Sequence, residues 1–185
     1  MATEVEYKNK IQSYRRIGLR RLWCKKRQDR MDDDFWESGK LLEYAILRAF
    51  ELEGAEVTYP YSVELQGEEV EQIDGAIKVG SLYSLIECKD YSQTPINITP
   101  LAKLRNQLLR RHASVFGMFF SMSDYTNPAE MLVQYMSPQM IILWSAEDID
   151  YCMEHNCFIP CLLQKYKMAI ENCEFHYQYS LRAQI

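Results

Sequence analysis

Apolar and polar positions divide the chain into helical and extended stretches. Between residues 35 and 52, Phe35, Leu42, Ile46, Ala49 and Phe50 recur at helical spacing, which predicts a helix with one buried face, closed by Gly54 as a C-cap. Asp32, Asp33 and Asp34 stand before it, where carboxylates cap a helix and match its dipole. Three extended segments follow at 55–65, 70–79 and 81–88, separated by Gly67 and Gly80 in the manner of antiparallel neighbours. From 99 to 112 the pattern is helical again, with Leu101, Leu104 and Leu108 on one face and Lys103, Gln107 and Arg110 on another. A nearly continuous apolar strand, SVFGMFFS, occupies 114–121. A helix at 128–136, a strand at 139–144, a helix after Ser145 and a last helix around 162–173 complete the chain. Helix and strand alternate in this second half as crossover units do. The predicted fold is therefore α/β, with a mixed central β-sheet flanked by helices in the order α-β-β-β-α-β-α-β-α.

Residues 1–31 form a separate unit in this reading, a basic N-terminal arm ahead of an α/β domain at 32–185. Ile11, Tyr14, Ile17 (or Gly18), Arg21 and Leu22 predict one weakly amphipathic helix there. The net charge of −5 hides a division: residues 1–30 carry +7, and the other 155 carry −12. An acidic body with a basic arm is compatible with a nucleic-acid partner, whereas a passive nucleic-acid coat would be basic throughout. At 185 residues and 48% hydrophobic, the chain can bury a real core. It has no apolar run near the roughly 20 residues that cross a bilayer, and MATEVEYKNK has no signal-peptide pattern, so a cytoplasmic protein without membrane partners is expected. Its six cysteines are then expected as reduced thiols.

Chemistry concentrates in VEQIDGAIKVGSLYSLIECKDY, residues 70–91, where ionisable groups interrupt apolar strands. Asp74 is read as lying on the first strand of this stretch. On the second, period-two alternation puts Glu87 and Lys89 on one face and Cys88 on the other. Antiparallel strands joined at Gly80 bring Asp74 beside Glu87. Two carboxylates in one pocket stay ionised together only around a cation, and hard oxygens suit Mg²⁺ or Mn²⁺. A lysine beside that ion can orient water or meet developing charge, which is the apparatus of metal-assisted phosphodiester hydrolysis. Glu43, on a helix face shared with Trp36, Ile46 and Phe50, is a third carboxylate able to join.

At Glu43, Asp74-Gly75 and Glu87-Cys88-Lys89, with 12 residues between Asp74 and Glu87, the sequence resembles the PD-(D/E)XK nuclease superfamily, and within it the Mrr-like restriction endonuclease domain. The helix carrying Gln107, the strand SVFGMFFS, the segment SDYTNPAEM and the stretch IILWSAEDID resemble the second half of that domain, so the likeness covers about 35–151. Ile73 stands where the family often has Pro. The resemblance implies a restriction-endonuclease-like core and an Mg²⁺-dependent endodeoxyribonuclease of restriction or defence type. Asp74, Glu87 and the Cys88 carbonyl would bind the metal, Lys89 would assist the attacking water, and Glu43 would support the site. Lys103, Gln107, Arg110 and Arg111 would approach the DNA backbone. A homodimer is expected because one active site cuts one strand. Two other readings stay open: a protein of this fold that binds nucleic acid or a partner without cutting, and a structure-selective nuclease such as a junction resolvase.

Other residues with chemical potential are read as packing. Cys152, Cys157, Cys161 and Cys173, with His155 among them, have no zinc-knuckle spacing and read as buried thiols between helices. His112 and His176 are solitary, and the thirteen tyrosines are read mainly as packing residues. There is no P-loop and no GxGxxG, so no nucleotide cofactor is expected.

Overall fold

A computed structural model describes residues 2–31, 34–91 and 93–182. The chain begins with two helices, α1 (Glu4–Gln12) and α2 (Arg16–Arg27), rather than the single helix expected. Thr3 and Glu6 form a reciprocal capping box that starts α1, and Ser13 ends it. Tyr7 and Ile11 from α1, and Leu19, Leu22 and Trp23 from α2, are buried, whereas Ile17 is 71% exposed. The buried stripe thus differs from the one expected, because the break near Ser13 resets the helical phase.

The next helix, α3 (Lys40–Glu53), starts five residues later than predicted. Gly39 has φ +85°, a conformation outside the helical region, so the helix cannot extend back through it. Phe35 and Trp36 instead pack on Tyr7, with Trp36 stacked on it at 5.5 Å. Asp34 consequently caps nothing in α3, and Asp32 and Asp33 lie outside the described residues. Gly54 closes α3 in the left-handed conformation, as its position predicted.

Three expected strands become five: β1 (Glu56–Thr58), β2 (Tyr61–Leu65), β3 (Glu68–Ile73), β4 (Gly75–Val79) and β5 (Leu82–Lys89). Pro60 separates β1 from β2, since it lacks the N–H a ladder needs. Asp74 separates β3 from β4. The remainder is α4 (Ile98–Leu109), β6 (Val115–Ser121), α5 (Asn127–Gln134), β7 (Ile141–Trp144), α6 (Ala146–His155), α7 (Phe158–Asn172) and α8 (Tyr179–Arg182). None of the described helices is long and apolar enough to cross a membrane.

The central sheet has the order β1-β4-β5-β6-β7, and β2 and β3 form a separate hairpin. β1, β4 and β5 pair antiparallel, while β5, β6 and β7 run parallel through the helical crossovers. The sheet is therefore mixed, as the change in pattern after residue 90 implied. Alternate residues feed two cores. Ile86, Cys88, Met118, Phe120 and Trp144 face one that includes α1, α2, α3, α6 and α7. Leu85, Phe119 and Leu143 face the other, under α4 and α5. Gly117 lets α4 lie close on β6, since a Cβ there would sit 2.9 Å from Leu104 Cδ2 and 3.1 Å from Ile141 Cγ1.

Candidate active site

The site forms where β4 and β5 meet, between α3 on one face of the sheet and α4 on the other. Gly75 pairs with Ile86, which sets Asp74 against the Glu87–Lys89 end of β5. Asp74 Oδ2 accepts the Cys88 N–H at 2.9 Å, fixing the carboxyl at the strand end. Asp74 therefore lies at a break between strands rather than inside one, and the break is what turns its side chain toward β5. Burial, and next the Glu87 charge, raise its carboxyl above the ordinary carboxylate range, while the Cys88 N–H and the lysines oppose them.

Glu87 is fully buried, yet it points to the face carrying α4 and is met by two cations. Lys89 Nζ donates to Oε1 at 2.6 Å, and Lys103 Nζ lies 3.1 Å from both carboxylate oxygens. Burial acts to lower the Lys89 ammonium's pKa, but the Glu87 charge and hydrogen bond outweigh it and hold it above normal. Cys88 turns to the opposite face, as alternation predicted, and its thiol is pushed up first by burial and then by Asp74 and Glu43.

Glu43 reaches the site from α3. Its carboxyl is pushed up to about 7, chiefly by burial and then by the charge of Asp74, so it shares the electrostatic neighbourhood of the strand carboxylates. Lys40 Nζ lies 3.0 Å from Glu43 Oε2 and 3.0 Å from Glu4 Oε1, tying α1 to the site. Glu4, Lys40, Tyr61, Gln72 and Asp74 line a cleft of about 280 Å³ on this side. Sequence reasoning missed Lys40 and Glu4. The three-residue step from Lys40 to Glu43 is a local signal that could have found the first, but no local pattern joins Glu4 to residues 36 and 39 positions away.

On the other side, an open groove of about 990 Å³ runs between β3 and α4, with Glu71, Gln72, Lys103, Asn106 and Arg110 on its walls. The four α4-region residues expected to face nucleic acid separate here. Lys103 turns to Glu87. Gln107 is only 3% exposed and donates to the Gln72 carbonyl at 3.0 Å, so it holds β3 against α4 instead of facing outward. Arg110 and Arg111 both bind the largely buried Glu71, Arg111 at 2.5 Å. Glu71 too was missed, since a third glutamate after Glu68 and Glu69 reads as solvated charge.

Two converging carboxylates whose mutual repulsion raises one of them suit a divalent cation, and their oxygens are of the hard type that Mg²⁺ or Mn²⁺ takes. The chemistry of these oxygens therefore fits such an ion, and the Cys88 carbonyl is the further donor that the sequence resemblance implies. Among the described residues, no group of three His, Cys, Asp or Glu side chains could hold a metal by itself.

Among solved structures, a protein of unknown function, AF1548, matches at 16% identity over 56% of each chain, with a TM-score of 0.45. The restriction endonuclease MspJI, solved with a 27-mer oligonucleotide, matches at 14% identity over 78% of this chain, with a TM-score of 0.41. The modification-dependent restriction endonuclease AspBHI matches at 16% identity over 62%, with a TM-score of 0.38. This chain spans 56%, 35% and 30% of those three chains, respectively. No curated protein matches the sequence. The Mrr catalytic-domain family model, described as restriction endonuclease, matches residues 37–153, which contain Glu43, Asp74, Glu87 and Lys89 and span every strand of the sheet. The chain belongs to the Mrr-type restriction endonuclease family.

Proposed function

We propose that the chain is a divalent-metal-dependent endodeoxyribonuclease that hydrolyses DNA phosphodiester bonds at the junction of β4 and β5. The observation that carries this reading is Asp74 held on the Cys88 N–H, near enough to Glu87 for its charge to raise it, with Lys89 hydrogen-bonded to Glu87. Asp74, Glu87 and the Cys88 carbonyl would hold Mg²⁺ or Mn²⁺, and Glu43 would support them from α3. The bound ion would supply Lewis-acid polarisation of the phosphate and a more acidic water. Lys89 orients that water or meets charge developing on the phosphate. Its link to Glu87 fixes the ammonium before substrate arrives, so little reorganisation is needed. Lys103, beside the same carboxylate but half exposed, supplies a second positive charge at the groove's edge. Double-strand cleavage by a chain with one site requires two copies, so a homodimer is part of the proposal.

Lys89→Ala should leave DNA and Mn²⁺ binding nearly unchanged while lowering plasmid cleavage by about 10²-fold, because it removes help given mainly in the transition state. Asp74→Ala should lose Mn²⁺ binding by calorimetry, and extra Mg²⁺ should not restore cutting. Normal cleavage by either variant overturns the assignment. A preference for four-way junctions over linear duplex in the same assay would redirect the substrate to a structured DNA.

A further inference from the structure

The turn between α6 and α7 gathers three of the six cysteines, far along the chain from the carboxylate site. Helix α6 ends on Asn156 in the left-handed conformation, φ 52° and ψ 56°, and the Asn156 N–H donates to the Cys152 carbonyl. The Cys157 N–H donates to the same carbonyl at 3.4 Å. A helix terminus of this kind folds the second residue past its end onto the last turn, where an apolar contact usually forms. Here the contact is thiol on thiol, with the Cys152 and Cys157 sulfurs 3.8 Å apart.

The two positions differ in access and acidity. Cys152 is fully buried, whereas Cys157 is partly open to solvent. Its thiol–thiol contact with Cys152 lowers the Cys157 thiol below its ordinary range, although burial and the Glu53 charge act the other way. Hydrogen bonds with Cys157 and Cys161 push the Cys152 thiol up. An accessible, more acidic thiol beside a buried neutral one is the arrangement of an attacking and a resolving cysteine.

We propose that Cys157 and Cys152 are a peroxide-sensitive dithiol that closes to a disulfide across the α6–α7 turn. The Cys157 thiolate attacks one oxygen of hydrogen peroxide; the O–O bond breaks, giving a sulfenic acid and hydroxide, which takes up the proton that Cys157 released. The Cys152 sulfur then attacks the Cys157 sulfur, the S–O bond breaks, and the departing hydroxide leaves as water with the Cys152 proton. Two thiols are oxidised, and one peroxide is reduced to two waters. The bond would fasten the end of α6 to the start of α7. That corner already receives Glu53 from α3 on the Phe158 and Ile159 N–H groups, at 2.8 Å each, and Arg20 from α2 on Glu154, at 2.7 Å.

The test treats the full-length protein with near-stoichiometric hydrogen peroxide, alkylates the remaining thiols after unfolding, and maps peptides by mass. The expected product has lost two hydrogens and two alkylation sites, with the bond inside the 152–157 segment, and dithiothreitol restores both sites. Cys157→Ser should abolish this loss. Cys152→Ala should instead leave a Cys157 sulfenic acid that dimedone traps. Because Cys152 lies in the core, circular dichroism must first show that this variant folds; if it does not, Cys157→Ser and the wild-type peptide map decide. A disulfide through Cys24, Cys161 or Cys173, unchanged oxidation in Cys157→Ser, or a Cys157 sulfenic acid that persists in wild type beside an alkylatable Cys152 overturns the proposal.

Discussion

Glu71 should act as a brake on nucleic-acid binding, and Glu71→Gln should release it. In the structure its carboxylate holds both Arg110 and Arg111, on the wall of the groove that leads to Lys103 and Glu87. In the proposed DNA complex, phosphates would compete with it for those arginines. The Arg110 side chain is 56% exposed, so solvent screening holds its share to about 0.2–1 kcal/mol. Arg111 is 19% exposed and Glu71 only 4%, so that contact contributes about 1 kcal/mol. Together the released interactions should tighten duplex binding by about eight- to thirty-fold at low salt. One neutralising charge is also lost, so the slope of log affinity against log salt should steepen by about 0.9. Raising salt fourfold should then cost the variant about three- to fourfold more affinity than wild type. Glutamine keeps the shape, and fluorescence anisotropy over a salt series, with metal chelated to prevent cutting, reads both effects. An unchanged dissociation constant and salt slope would refute the reasoning, as would a gain that survives when Arg110 and Arg111 are both replaced by Ala.

Three further outcomes follow from the same geometry. Glu43 holds its proton to about pH 7 in the folded chain but only to about 4.5 when unfolded, so its contribution to stability is lost as pH rises from about 4.5 to about 7. In chelator, Glu43→Gln should flatten that part of a denaturant-midpoint series by on the order of 3 kcal/mol; a slope equal to wild type would deny the shift. Gly75→Ala places a Cβ 2.7 Å from Leu47 Cδ2 and 3.0 Å from the Thr58 carbonyl oxygen. It should cost about 1–3 kcal/mol in thermal unfolding and weaken Mn²⁺ binding by displacing Asp74, and a variant unchanged in both would show that the strand break tolerates a side chain. Removing residues 1–30 strips five buried apolar side chains worth about 1.5–3 kcal/mol each, comparable to the stability of a whole domain. The shortened chain should show no cooperative melt by circular dichroism, and a transition near the full-length temperature would make the arm an independent unit.

Regular periodicity made the sheet and its crossovers legible. The Leu101, Leu104 and Leu108 stripe and SVFGMFFS became α4 and β6, and Gly54 closed α3 where expected. What stayed hidden were the breaks, because each depends on backbone conformation or on contacts distant in sequence. Phe35 and Trp36 fit the helical stripe as well as Leu42 does, and it is Gly39 at positive φ, with Tyr7 waiting 29 residues back to stack on Trp36, that takes them out of the helix. The 70–79 stretch read as one strand because its extended pattern continues on both sides of Asp74-Gly75, although that dipeptide by itself marks a turn. The β4–β5 register and the Cys88 N–H create the break there and, with it, the approach of Asp74 to Glu87.

Charge was the least legible part of the site, because composition counts cations without saying what they meet. The ten basic residues of the arm could lie along a polyanion or dock on the acidic body, and the structure commits several of them to the body: Arg20 to Glu154, Lys26 to Asp90 and Arg27 to Asp150. Trp23 Nε1 joins them on Asp150 at 2.7 Å, so the same helix that buries Leu19 and Leu22 also neutralises the acidic surface beneath it. Arg110 and Arg111 repeat the pattern with Glu71. Cations read as DNA contacts from their place on a helix are thus held in reserve by carboxylates of the same chain. Lys26 binds the residue immediately after Lys89, and Glu4 reaches Glu43 through Lys40, so the arm braces both sides of the carboxylate site. Its charged side chains therefore serve both its docking on the body and the bracing of the candidate site. Any pull it exerts on DNA comes from its other exposed charges, such as Arg21 beside Ile17 on α2.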